Sequence, residues 1–341
     1  MKRFLLAAAA LLVGASAGAQ SVDLTGAGAT FPQIIYTKWF DTYATKANVK
    51  INYQPIGSGG GVRQISEQTV DFGASDMPMT DDELSKAKGG VLFHIPTVIG
   101  ANVVAYNMPE LTAPLKLDGP TIAAIFLGKV SKWNDPRIAA LNAGAKLPAK
   151  DIVVIHRSDG SGITFIWTDY LSAVSPEWAK GPGKGKDVQW PTGLGGQGNS
   201  GVAGQIKQID GALGYVELAF ARQNKLPFAT IKNAEGKWIV PSLESASAAA
   251  ASSAARIASN SDFRVSFVNA PGADSYPISS FTWLLVYKNQ RDAAKGKKLV
   301  DFLRWALNDG QALTSALDYA PLPRPMVTKI MARVSEIQVA K

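Results

Sequence analysis

Two stretches of this chain are long, apolar and extended: LFHIPTVIGANVVAYN (92–107) and ISSFTWLLVYK (278–288). Most strands stop at five or six residues. A chain with two runs of this length is suited to a two-lobed body whose backbone crosses from one lobe to the other twice. Pro96 and Gly100 interrupt the first run. A length of 341 residues also suggests two domains.

Around these runs, short apolar segments alternate with helical patterns, which argues for an α/β architecture. VDLTGAGAT reads as a strand and a glycine-rich turn. The following FPQIIYTKWFDTYAT sets Phe31, Ile34, Ile35, Trp39, Phe40 and Tyr43 on one helical face, with Pro32 in the first turn. VKINYQPIG and VDFGASDMPMT are further strands, and TDDELSKA begins a helix behind a Thr80 cap and early acids. IVVIHRSDGSGITFIWTDYLSAV reads as strand, turn and helix. The alanine-rich SLESASAAAASSAARIAS (242–259) reads as a surface helix. No repeat of fixed period appears.

Three segments share one construction, a strand, then glycine with serine or threonine, then a helix: TGAGATFPQII (25–35), IGSGGGVRQI (56–65) and SDGSGITFIW (158–167). A helix start carries unpaired N–H groups and a partial positive charge, so it attracts anions. One such turn is ordinary capping. Three in one chain, one of them preceded by Arg157, point to convergence on a tetrahedral oxyanion. The planar fork of Arg157 suits phosphate or carboxylate, and Asp159 is placed to brace it.

Other chemistry finds little support. Gly26 and Gly28 are followed by Phe31, so no GxGxxG forms, and no GxxxxGK[ST] occurs. A G-x-S-x-G elbow fails at Ser58, Ser161 and Ser200, none of which has both flanking glycines. The chain has no cysteine and two histidines, His94 and His156, which excludes thiol catalysis and His- or Cys-rich metal sites. Both histidines are expected in structural roles. No cofactor and no metal is expected.

The first residues carry Lys2 and Arg3, an apolar run from Phe4 to Val13 and Ala17-Gly18-Ala19, the pattern of a secretory signal over 1–19. No cysteine follows to carry a lipid, so an exported protein without a lipid anchor is expected. The formal charge is +8, and removing Lys2 and Arg3 leaves +6. The densest basic cluster, KGPGKGK (180–186), is too sparse for a nucleic-acid surface, and no nucleic-acid partner is expected.

The ordered set LTGAGATFP, KWFDTY, YQPIGSGGGVRQI, VDFGASDMP, PTVIGANVVAYN, IFLGKVSKWNDP, RSDGSGITF, WPTGLGGQGN, GALGYVELAFARQN and LDYAPLP resembles the periplasmic phosphate-binding proteins of ABC importers over nearly all of residues 20–341. The resemblance implies an α/β, two-lobed periplasmic-binding-protein fold of type II, two lobes joined by two crossing strands. Lobe 1 is then 20–101 plus 277–341, and lobe 2 is 102–276. It implies a monomeric, periplasmic, non-enzymatic receptor that delivers inorganic phosphate to membrane permease subunits. Carried over residue by residue, the phosphate contacts are Thr30, Phe31 through its N–H, Ser58, Asp76, Arg157, Ser161, Gly162 and Ile163, with Asp159 behind the arginine. Asp76 would select against sulfate, which has no proton to give it. The family has threonine where this chain has Ile163, so one hydroxyl donor is missing. The alternatives are a receptor for another tetrahedral oxyanion and, in a different class, a secreted phosphatase.

Overall fold

A computed structural model describes residues 23–259 and 262–340, and the expected signal over 1–19 lies outside them. One eight-stranded sheet runs through the molecule in the order Ile51–Gln54, Leu24–Gly28, Phe72–Ser75, Ser279–Tyr287, Leu92–Tyr106, Ala212–Glu217, Val153–Arg157, Leu194–Gly196. The outer pairings are parallel, and the four central strands pair antiparallel. Parallel strands in this setting need helices on their faces, and helices follow Gly28, Gln54 and Arg157 as the alternating pattern demands.

The two long runs form the centre of the sheet. Leu92–Tyr106 is a single buried strand of 15 residues. Its first part, Leu92–Ala101, pairs with Ser279–Tyr287, and its last part, Asn102–Tyr106, pairs with Ala212–Glu217. The pairing therefore changes partner at Ala101–Asn102. Pro96 cannot donate to a ladder, and the register slips there: Thr282 faces Val98 while Trp283 faces Pro96, leaving Thr97 without an opposite residue. Such a bulge re-aims side chains locally, and Thr282 points from this place into the site described below. Gly100 makes room: a Cβ there would lie 2.3 Å from the Phe31 ring.

The first helix, Gln33–Ala47, buries Ile35, Tyr36, Trp39, Phe40 and Tyr43, and leaves Ile34 only partly covered. The expected Thr80 cap is present as a reciprocal box with Glu83. The alanine-rich segment departs from expectation. It forms two helices, Leu243–Ser252 and Ala254–Ser259, and Ala246, Ala249 and Ala250 are buried. The first of the two lies against both long central strands. Small side chains let its backbone approach the sheet, so its composition reflects close packing rather than solvent exposure. A closing helix, Arg324–Ser335, is not among the expected elements. Lys116–Leu117, Thr230–Lys232 and Trp238–Ile239 form a separate small sheet.

Candidate anion site

The three glycine turns meet. Gly57 N–H donates to Gly28 O (2.9 Å), tying the second turn to the first, and Gly59 N–H donates to Gly160 O (2.9 Å), tying it to the third. A fourth helix start joins them: at Gly198–Gln208, Gly198 N–H donates to Asp159 Oδ1 (3.1 Å), and Asn199 donates to Thr30 Oγ1 from its backbone N–H (3.3 Å) and its amide (3.1 Å). Helix N-termini thus converge from separate parts of the sheet, each adding partial positive charge and N–H groups.

In the first turn, Thr30 and Phe31 are buried. Its carbonyls are occupied from outside, Ala29 O by the Tyr53 hydroxyl and Phe31 O by the Tyr319 hydroxyl, both at 2.6 Å. In the second, Ser58 opens helix Ser58–Ser66; its Oγ accepts from Asp76 N–H (3.1 Å) and donates to Asp76 Oδ2 (3.3 Å). Asp76 ends the strand–loop segment after Phe72–Ser75, and its Oδ1 accepts from Thr282 Oγ1 (2.7 Å). Burial pushes the Asp76 carboxyl up to about 7, overriding the hydrogen bonds from Thr282 and Ser58 and the charge of Arg157, with Asp159 adding to the rise.

The third turn supplies the cation. Arg157 ends strand Val153–Arg157 and is 3 % exposed. Its Nε and Nη2 grip Asp159 Oδ1 and Oδ2 at 2.7 and 2.5 Å, while its Nη1 is buried without a protein partner. Burial alone would raise the Asp159 carboxyl; hydrogen bonds and charge from Arg157, and the Gly198 N–H, hold it below its ordinary value. Ser161 caps helix Gly162–Val174, its Oγ accepting from Thr164 N–H (3.3 Å). A Cβ on Gly162 would stand 2.6 Å from Ser58 Oγ and 2.7 Å from Asp76 Cβ, so only glycine lets these turns come together.

Ile163 is fully buried in the main hydrophobic core, and its carbonyl accepts from Asn102 Nδ2 (3.1 Å). The neighbouring Thr164 hydroxyl is bonded to the Tyr215 hydroxyl (2.8 Å), which also accepts from Arg157 N–H (3.1 Å).

Of the residues expected at the site, Ser58, Asp76 and Gly162 meet directly, Arg157 is gripped by Asp159, Thr30 is tied to the Gly198–Gln208 helix start that also holds Asp159, and the Ile163 side chain turns into the core. Sequence reasoning missed Thr282, Asn199, Tyr215 and Tyr319. Each is remote in the chain from the residue it holds; Asn199, Tyr215 and Tyr319 fall within WPTGLGGQGN, GALGYVELAFARQN and LDYAPLP, and Thr282 within the second long run, but nothing in those segments shows which residue each one meets. Both histidines have structural partners. His94 Nε2 accepts from Met79 N–H (3.0 Å) while its Nδ1 meets Asp262 (2.9 Å). The His156 ring stacks on Trp190, and its Nδ1 lies 2.9 Å from Arg157 O. Among the described residues, no group of three acidic, histidine or cysteine side chains could hold a metal, and no helix is long and apolar enough to cross a membrane.

Comparison with known proteins gives three findings. A family model described as a PBP superfamily domain matches residues 14–309. A protein of Pasteurella multocida named phosphate-binding protein PstS is 47 % identical over 315 residues, covering 92 % of this chain and 90 % of the relative. Among solved structures, the periplasmic phosphate-binding protein PfluDING bound with phosphate superposes with a TM-score of 0.71 at 21 % identity, covering 91 % of this chain and 93 % of that one. A putative phosphate ABC transporter substrate-binding protein of Clostridium perfringens, with bound phosphate, gives 0.63 at 14 % identity, covering 88 % and 100 %. These two likenesses concern the fold, which is the two-lobed periplasmic-binding-protein fold.

Proposed function

The chain belongs to the PstS family of phosphate-binding proteins within the PBP superfamily, and on that premise we propose that it binds inorganic phosphate in the periplasm and delivers it to the permease of an ABC importer. One observation carries the reading: a buried Arg157 Nη1 without a protein partner, on a guanidinium braced by Asp159 and set at a helix start among buried hydroxyls. Dehydrating a doubly charged anion is costly, so its site must return nearly every hydrogen bond it removes.

In this reading Thr30, Ser58 and Ser161 donate hydroxyls, Phe31, Gly162 and Ile163 donate N–H groups, and Arg157 supplies the charge. Asp159 holds the guanidinium flat toward the anion. Asp76 accepts the proton that phosphate keeps at neutral pH, whereas sulfate would meet it charge to charge; selectivity thus comes from repulsion of the wrong ligand. Ser58, Arg157 and Ser161 are all buried, which fits lobes drawn together over the ligand. The lobes are taken as 20–101 plus 277–341 and 102–276, and the working unit as one monomer. Both ring nitrogens of His94 are engaged, Nε2 by Met79 N–H and Nδ1 by Asp262, which leaves that histidine no free nitrogen to act as a base for a serine.

The test is to denature protein purified from its host and identify the released anion by ion chromatography, then titrate refolded, anion-free protein with phosphate and sulfate by calorimetry. Phosphate released and phosphate preferred is the expected result. Sulfate or molybdate recovered instead would move the site to another oxyanion. Turnover of p-nitrophenyl phosphate would overturn the non-enzymatic reading.

A further inference from the structure

The lysine cluster KGPGKGK has no part in holding the anion, yet the fold places it beside the site. Gly185 is clamped to the anion-binding helix Gly162–Val174: its N–H donates to Thr168 Oγ1 and its carbonyl accepts from the same hydroxyl, both at 3.1 Å. Lys184 reaches back to Asp169 on that helix (3.1 Å). Lys186 follows, and its carbonyl accepts the N–H of Ser161 at 2.9 Å. Its ammonium crosses to Glu83, which lies 103 residues away in the chain.

Glu83 is equally fixed. Its Oε2 accepts the Thr80 N–H at 2.9 Å, completing the cap of helix Asp81–Ser85, and its Oε1 faces Lys186. Thr80 is four residues after Asp76, and the segment between them is pinned by Met79 N–H on His94. Burial alone would raise the Glu83 carboxyl; Lys186 and Thr80 overcome this and hold it below its ordinary value. The Glu83 carboxylate is thus held in place before the two meet and Lys186 is fixed at its backbone, so the entropy opposing the pair is chiefly that of the Lys186 side chain.

We propose that Lys186 is a positioning residue for anion retention, a latch whose ion pair with Glu83 joins the Ser161 turn to the Asp76 segment and slows opening of the closed cleft. The proposal rests on the two-lobed, phosphate-binding reading above. Substitution of Lys186 therefore acts on release rather than on capture.

The experiment compares unmodified protein with K186Q, E83Q and the double variant, measuring the dissociation and association rates of inorganic phosphate at low and high NaCl. E83Q keeps an N3 side chain able to complete the cap, so a folding defect is not its expected effect. Each single variant is expected to release phosphate about two- to fivefold faster, the double variant no faster than either single, and association to stay unchanged. High salt should speed release from the unmodified protein and not from the variants. Unchanged release in both singles, or additive effects in the double, overturns the latch. Failure of the unmodified protein to bind phosphate at all would instead overturn the function reading. In that case spin labels on single cysteines at Lys38 and Lys180, in a chain with no cysteine of its own, decide the latch: longer inter-lobe distances in K186Q support it, and an unchanged distribution sinks it.

Discussion

Asp76 concentrates the chemistry of the site at one titration. Its folded value near 7 lies above the ordinary 3.8, so the closed packing keeps a proton there that an unfolded chain loses near pH 4. That contribution to stability is complete below about pH 4 and is lost as pH rises through about 7. In the proposed reading, ligand choice follows the same proton. At pH 8 the carboxylate repels sulfate, and at pH 5.5 the neutral acid can donate to it, so sulfate affinity should rise on acidification. Asp76→Asn should abolish that pH dependence and narrow the phosphate-over-sulfate preference by about 2 kcal/mol or more; calorimetry at the two pH values with equal selectivity in both proteins would remove Asp76 from this role. Arg157→Ala removes a charge-assisted donor from a buried place and leaves Asp159 unpaired, so phosphate binding should weaken by at least ~2 kcal/mol, read as a shift in Kd. Ile163 stands where the resemblance leads one to expect a threonine. Because Thr164 is committed to Tyr215, Ile163→Thr should tighten phosphate by about 1 kcal/mol while lowering Tm, since a hydroxyl replaces buried hydrocarbon. Equal affinity would mean that the Ile163 N–H alone serves.

At the scale of elements, the design is a set of strand–turn–helix units whose turns touch. Their local chemistry is written in the sequence, because glycine, hydroxyl and helix-start signals span fewer than ten residues each. What holds the turns in register is not local: Thr282 reaches Asp76 from 206 residues away, and Tyr319 reaches Phe31 from 288. No spacing rule connects such pairs, so they escape a reading along the chain. The Leu243–Ser252 helix shows the converse. Alanine predicts helix well, but whether the helix faces water or the crossing strands depends on partners elsewhere. Gly162 marks where two turns meet at their closest. Gly162→Ala would drive a Cβ against Ser58 and Asp76, and overpacking of this kind costs about 1–3 kcal/mol. Phosphate affinity should fall by roughly tenfold or more, with the Tm of anion-free protein little changed. Wild-type affinity in this variant would mean that the turns do not need to approach so closely.

For the whole molecule, the proposed function requires two halves of one sheet to close over an anion. Solution scattering should report a smaller radius of gyration when phosphate is added to stripped protein, and no contraction in Gly162→Ala; equal radii with and without phosphate in the unmodified protein would argue against closure. The sequence by itself determined the α/β character, the two long crossing runs and the residue types at the anion turns, because each is encoded by short-range periodicity, capping chemistry or side-chain valence. Only the tertiary structure decided that these turns meet, that Asp76 is buried with its carboxyl pushed up to about 7, that the alanine-rich segment packs on the crossing strands, and that the lysine cluster reaches Glu83 through Lys186. Desolvation and long-range contact are properties of the folded packing, and neither exists until distant parts of the chain have met.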